Sequence, residues 1–294
     1  MGGLEIASSS PTSGLGLFAT QTLNPSDLLI QVPSKLALSV PTKYDSKIKK
    51  LFSEKQIYED APWWVQLALQ LIALDNNVIT SNNDESIYDI NVQPWLDSLP
   101  RSFSTPFHWS ESTLSDLQYP FLKQSVHQQK STWKLEYEKI VQSNAFPSLS
   151  FSQFVWACEC ARSRAFSGSY AGSAFNPAPY AFTLLLITIY VGLNLGTLEQ
   201  AANGAALVVC ATIWKDFVVP KLTTNGQQRY VICPFIDMAN HVGMNEAGDV
   251  AFEYFSDSYS LAVKSSISEK EQLMISYGPR SNDQRTFIFN FFFF

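Results

Sequence analysis

Three short stretches of this chain combine residue types that could do chemistry. Asn240 and His241 place a carboxamide beside an imidazole, just after Asp237-Met238-Ala239 and an apolar run. A carboxamide both donates and accepts hydrogen bonds, and an imidazole can do either, so the pair suits a polar ligand. A single histidine in that position is otherwise a structural group. Ser276-Tyr277-Gly278 ends another apolar run. A tyrosine there either points its hydroxyl into a cleft or packs into a core. Gly14-Leu15-Gly16 lets backbone groups approach a ligand closely, or simply makes a tight turn. It lacks the third glycine and the following helix of a dinucleotide fingerprint. A zinc site has little support. His108 and His127 are distant in sequence from His241, and Cys158 and Cys160 face different sides of a helical pattern. No metal is called for.

The elements that must position these residues change character along the chain. Gly14 to Ala19 and Asp27 to Pro33 read as two short strands. Leu23-Asn24-Pro25-Ser26-Asp27 between them is a turn, with Pro at the position its fixed φ suits. From about Lys43 to Ile140 the period is helical. Pro62 opens an apolar helix running to Leu74, Lys123 to Ile140 forms a more polar one, and Phe151 to Arg162 a third, capped near Ser150. Between Arg164 and Lys215 the only charge is Glu199. Ala181 to Leu193 and Ala201 to Trp214 are two apolar blocks, read as a helical hairpin. Strands return at Tyr230 to Phe235, at a hairpin of Val250 to Phe255 with Tyr259 to Lys264, and at Leu273 to Gly278. Unless the β ends are separate domains they must meet in space, with the helices as an insertion. The ending, Arg285 to Phe294, is an apolar, phenylalanine-rich tail of a kind prone to aggregate when exposed.

Composition narrows the function classes. Of 294 residues, 46% are hydrophobic, enough for a full core, and only 16% are charged, which excludes a disordered or coiled-coil chain. The net charge of −6 speaks against a nucleic-acid-binding face. Four cysteines do not make a disulfide framework. Met1 to Pro11 has neither the basic nor the apolar region of a secretory signal. No other targeting signal is visible, so a cytoplasmic or a plastid location is left open. The first hairpin block, about 16 residues when counted from Tyr180 to Leu195, is short of the roughly 20 that span a membrane. The hairpin 180–214 is therefore read as a buried or membrane-associated helical pair, with insertion into a membrane as the alternative.

In chain order the motifs are G-L-G-L-F-A-T, R-S-R-A-F, P-F-I-D-M-A-N-H and I-S-Y-G-P-R-S-N-D-Q. Together they resemble the SET-domain protein methyltransferases, specifically the branch of the Rubisco large-subunit lysine methyltransferase. The resemblance covers Gly14 to Gln284. It implies an α+β fold: a SET-type β fold of short strands split by a long, mostly helical insertion. The implied division is a SET domain at 12–284, made of an N-terminal part 12–40, a helical insert 41–228 and a C-terminal part 229–284, then the tail 285–294. No counterpart of that branch's C-terminal substrate-binding helical domain is expected within Met1 to Phe294.

The same resemblance implies S-adenosylmethionine as cofactor and a protein substrate with an acceptor lysine. A histidine acceptor belongs to the same branch and stays open. The implied cofactor residues are Ser13, Gly14 and Leu15 through their backbone, Arg164 near the methionine carboxylate, and Asn240, His241 and Tyr277. The resemblance also makes Tyr277 the catalytic residue at the methyl-transfer centre, and Asp237 a structural partner of the loop that carries Asn240 and His241. A monomer is expected, with no nucleic-acid partner. Three departures, the expected lack of the C-terminal helical domain among them, set up the rival reading, a catalytically weak or inactive truncated SET module that binds a protein partner. The branch carries a tyrosine shortly after N-D-Q, whereas Arg285 to Phe289 has none, and the apolar hairpin is longer than the usual connection.

Overall fold

The structure is a computed structural model that describes residues 3–8, 14–40, 57–75, 92–143, 148–169, 178–193, 196–214, 228–241, 248–253 and 256–276. Strands β1 (Leu4–Ser8), β2 (Leu15–Ala19), β3 (Leu28–Pro33) and β4 (Leu38–Val40) come first. Helices α1 (Ile57–Asp60), α2 (Trp63–Asp75), α3 (Gln93–Ser98), α4 (Glu111–Asp116), α5 (Pro120–Gln142) and α6 (Phe151–Arg164) follow. After β5 (Phe166–Ser169) come α7 (Ala178–Gly192) and α8 (Leu198–Ile213). Strands β6 (Gln228–Ile232), β7 (Asn240–His241), β8 (Asp249–Glu253), β9 (Ser258–Ala262) and β10 (Gln272–Ile275) complete the order. The chain divides into two compact units, one of Met1–Phe166, Tyr230–Ala251 and Tyr259–Phe294, the other of Ser167–Arg229 and Phe252–Ser258.

In the first unit the core is helical. The carbonyl of Pro62 accepts from the amides of Val65 and Gln66, which starts α2. Val65 and every residue from Leu67 to Leu74 is buried, and a helix apolar on all sides has to lie inside. It packs on α6, whose first turn is capped by the Ser150 hydroxyl accepting from the Gln153 amide. Gln70 is the polar exception in α2. Its amide donates to the Tyr58 hydroxyl and the Ser39 carbonyl, so its burial leaves it satisfied. The longer α5 is amphipathic and buries Leu122, Val126, Trp133 and Ile140 along one stripe. It starts at Pro120, earlier than periodicity suggests, because proline is tolerated in a first helical turn.

Two sheet regions tie sequence-distant segments together. In the four-stranded sheet the order is β1-β2-β10-β7. β2 runs antiparallel to β1, pairing Leu4 with Ala19, and antiparallel to β10, pairing Leu17 with Leu273. β10 then runs parallel to β7, pairing Met274 with Asn240 and Ile275 with His241. Elsewhere β4 pairs antiparallel with β6, Leu38 opposite Ile232, and β3 neighbours β9. The turn expected at Leu23 to Asp27 is present: Asp27 accepts from the Asn24 amide through its carboxylate and donates its own amide to the Asn24 carbonyl. Ser26 takes the left-handed position after Pro25, at φ 74°.

In the second unit α7 and α8 pack on each other. Thr197 and Gln200 form a reciprocal capping box at the start of α8. Gly196 precedes it because a Cβ there would collide with the Tyr190 ring. Many apolar side chains of this hairpin are exposed, among them Leu184, Leu185, Leu207 and Trp214. Among the described residues no helix is long and apolar enough to cross a membrane, so the expectation of membrane association through 180–214 gains no support.

Leu71 lies at the centre of the α2–α6 core with no exposed surface. Leu71→Ala is expected to lower stability by about 2–5 kcal/mol in urea unfolding, the range for a leucine truncated in a packed core. A loss well under 1 kcal/mol would mean that the cluster is not close-packed.

Candidate functional site

The first cluster of interest forms where β2, β10 and β7 lie side by side. Gly16 of β2 faces the side chains of Gln272 on β10 and Asn240 on β7. A Cβ at residue 16 would run into the Gln272 amide and come 2.9 Å from Asn240 Nδ2. Glycine is therefore needed for two carboxamides to approach the strand. The Asn240 amide donates to the carbonyl of Leu15 at 3.4 Å, fastening the Asn240 side chain over the Gly14–Gly16 backbone. His241 pairs with Ile275 at the sheet edge. Gly14, Leu15, Gly16, Asn240 and His241 are thus brought to one place. Ser13 and Tyr277 lie outside the described residues.

The second cluster sits just before β7. The chain leaves β6 through Phe235, whose φ of 70° is left-handed and strained for an aromatic residue. A tight 3-10 turn follows over Ile236–Met238, with the Asp237 amide donating to Cys233 and the Ala239 amide to Ile236. This turn drives the Asp237 carboxylate into the interior, where its side chain has no exposure. Arg164, the last residue of α6, meets it there. Its Nη1 donates to Asp237 Oδ2 at 2.8 Å and to the Asp237 carbonyl at 3.3 Å. From α3, the indole N–H of Trp95 donates to both carboxylate oxygens, at 3.1 and 3.3 Å.

Burial pushes the Asp237 carboxyl above its usual range, while the Arg164 guanidinium and then the Trp95 N–H pull it back. On α6 the neighbouring Cys160 thiol is pushed up to about 12 by burial, which makes it an inert packing group rather than a nucleophile. The resemblance implies Arg164 near a ligand carboxylate and Asp237 in a structural role. Trp95 went unread, because no local pattern joins it to a carboxylate 142 residues away.

A further buried carboxylate, Glu159 of α6, accepts from the Thr105 hydroxyl and pairs with His108 Nε2 at 2.9 Å. It is a satisfied structural group. Among the described residues no cluster of His, Cys, Asp and Glu could hold a metal ion.

The raised Asp237 value has a definite sign in the linkage between pH and stability. A carboxyl whose folded pKa exceeds its unfolded one binds more protons in the native state across the window between the two values. Its contribution is full below the unfolded value of 3.8 and is lost as pH rises through the folded one. Wild-type stability relative to Asp237→Asn is therefore expected to fall as pH rises from about 4 through that window. Urea unfolding of both proteins across the acid range checks this, and parallel profiles would refute it.

No family model matches the chain. Among curated proteins it is 27% identical over 169 residues to the chloroplastic ribulose-1,5-bisphosphate carboxylase/oxygenase large-subunit N-methyltransferase of Pisum sativum, covering 55% of this chain and 31% of that one. It is also 27% identical over 161 residues to the chloroplastic [fructose-bisphosphate aldolase]-lysine N-methyltransferase of Arabidopsis thaliana, covering 52% and 30%. A third match is the actin-histidine N-methyltransferase of Canis lupus familiaris, 27% identical over 121 residues, covering 41% and 18%. The chain thus spans under a third of the length of these relatives. Among solved structures, the SET domain of LSMT bound to lysine and AdoHcy superposes with a TM-score of 0.62 at 20% identity, over 98% of this chain and 52% of that one. Rubisco LSMT bound to AdoMet superposes with a TM-score of 0.61 at 20% identity, covering 98% and 51%. The α+β architecture agrees with these comparisons: the chain has the SET fold of the Rubisco large-subunit methyltransferase and is a relative of the SET-domain protein methyltransferases in sequence.

Proposed function

We propose that this chain is the SET domain of an S-adenosylmethionine-dependent protein-lysine N-methyltransferase, one that transfers a methyl group to a lysine side chain of a protein substrate. The observation that carries the reading is the placement of Asn240 against the Gly14–Gly16 backbone, with the ion-paired Arg164 attached to the turn that precedes Asn240. A methionine tail is zwitterionic. It calls for a guanidinium for its carboxylate and for amide and carbonyl groups for its ammonium. The residues present fit that demand.

When bound, S-adenosylmethionine supplies an electrophilic methyl on a sulfonium. The residues of the chain have the remaining tasks. Gly14 and Leu15, with Ser13 before them, offer backbone groups at close range. Arg164 binds a carboxylate, and Asn240 and His241 hold the rest of the cofactor. Tyr277 follows β10 by two residues and is assigned to the acceptor amine. A lysine must lose its proton before it attacks, from a reference pKa of about 10.4. Exclusion of water beside a cation lowers that value by desolvation and like-charge repulsion. Catalysis of this kind is mostly placement of one nitrogen and needs no acid–base pair. The actin-histidine relative favours a second acceptor, an imidazole nitrogen, served by the same placement.

Calorimetry with S-adenosylmethionine, followed by incubation with Rubisco, aldolase and actin and mass spectrometry of the products, tests the reading. Methylated lysine supports it, methylated histidine supports the second acceptor, and absence of cofactor binding refutes both. Asn240→Ala is expected to weaken S-adenosylmethionine binding by about 1.5–3 kcal/mol, the scale of a hydrogen bond to a charged group. An unchanged dissociation constant would remove Asn240 from the cofactor residues. Tyr277→Phe is expected to leave that binding nearly intact and to slow turnover about 10²-fold or more, the usual scale for losing a positioned polar group. Equal turnover would make Tyr277 a packing residue.

A further inference from the structure

We propose that Trp95, supplied by the helical segment ahead of the site, is a positioning residue that orients Arg164 toward the cofactor carboxylate by way of Asp237. The proposal rests on the cofactor reading above and adds to it a residue that touches no ligand.

Trp95 is 1% exposed, and its indole N–H lies between the two oxygens of one carboxylate, at 3.1 and 3.3 Å. Indole N–H is a donor only, so it can favour the anion but never the protonated acid's own O–H. A donor shared by both oxygens also fixes the plane of the carboxylate. With that plane fixed, Oδ2 faces Arg164 Nη1 at 2.8 Å, and the same Nη1 reaches the Asp237 carbonyl. The guanidinium is thereby tied at two points of one residue, and its side chain keeps 18% exposure. The chain of contacts runs from a buried ring, through a buried anion, to a cation that still meets solvent. Without the indole N–H the carboxylate can rotate or take up a proton, and Arg164 loses its fixed reference.

A merely structural tryptophan would act on the core alone. Trp95→Phe keeps an aromatic ring in the packed cluster and removes the N–H. The experiment measures dissociation constants of wild type and Trp95→Phe by calorimetry. Two ligands are compared, S-adenosylmethionine and its decarboxylated form. Wild type is expected to prefer S-adenosylmethionine. The variant should bind it about tenfold more weakly, the lower end for a hydrogen bond to a charged group, with the decarboxylated form unchanged. Equal weakening for both ligands, or a preference kept intact in the variant, would overturn the proposal and leave the cofactor reading standing. Wild type that binds neither ligand sinks both. Wild type that binds the two alike removes Arg164 from the carboxylate, and the proposal with it. Should Trp95→Phe fail to fold, the Trp95 indole N–H resonance of the wild-type protein decides. It should shift on adding S-adenosylmethionine and stay in place with the decarboxylated form. Identical responses to both would overturn the proposal.

Discussion

A carboxylate with no solvent exposure has to be compensated where it stands, and Asp237 is that carboxylate. Removing Arg164 would leave an uncompensated buried charge, a far larger penalty than the loss of a surface ion pair, and removing the Trp95 N–H would leave that charge short of a hydrogen bond. Three segments are consequently tied to one point: the end of α6 through Arg164, α3 through Trp95, and the turn into β7 through Asp237 itself. The left-handed Phe235 and the tight turn after it are held in place by the same interaction, since relaxing them would withdraw the carboxylate from both partners. Asn240 is only three residues further on. What holds the structural anion therefore also sets where the Asn240 amide, assigned to the cofactor on the proposed reading, begins.

The sheet supplies the other constraint. β7 is two residues long and could not persist alone, but β10 offers it a parallel edge, and β10 is itself paired to β2. Glycine at 16 lets Gln272 and Asn240 approach where any side chain would stand in the way. In this way the earliest and the latest described strands build one surface, while the helices between them build the core. The division of labour is physical. Helices α2, α5 and α6 supply most of one buried cluster, while the short strands bury Leu17, Leu273 and Ile275 and carry glycine, amide and imidazole groups beside them.

Where a residue's fate depended on its neighbours in sequence, it was legible. The Ser150 cap, the all-apolar α2 and the Leu23–Asp27 turn follow from local rules and are present. The strand after Arg229 was read through to Phe235, yet β6 ends at Ile232 because the chain must turn there to aim Asp237 inward. β1 was missed: Leu4 to Ser8 sits in a polar stretch and is a strand only because β2 lies beside it. Trp95 was illegible for the same reason in stronger form, since its partner is brought to it by tertiary packing alone. Gly14, Arg164, Asn240 and His241 were singled out through motif order and the resemblance it carries, and their part in a cofactor site belongs to the proposed reading. Composition by itself would have left them as turns and core groups.

Charge balance links the structural anion to the proposed chemistry. A lone guanidinium beside the methyl-transfer centre would add a positive charge near a sulfonium, and like charges in a low-dielectric site repel strongly. Paired with Asp237, Arg164 contributes little net charge at a distance and still presents N–H donors at short range. The pair acts as a dipole: locally attractive to a carboxylate, nearly neutral to a sulfonium further away. An unpaired lysine in place of Arg164 would fail on both counts, having a compact charge and no planar fork with which to engage the Asp237 carboxylate, its carbonyl and a ligand in fixed directions. On the proposed reading, the buried aspartate is what allows a cation to bind one end of a cationic cofactor without opposing the other.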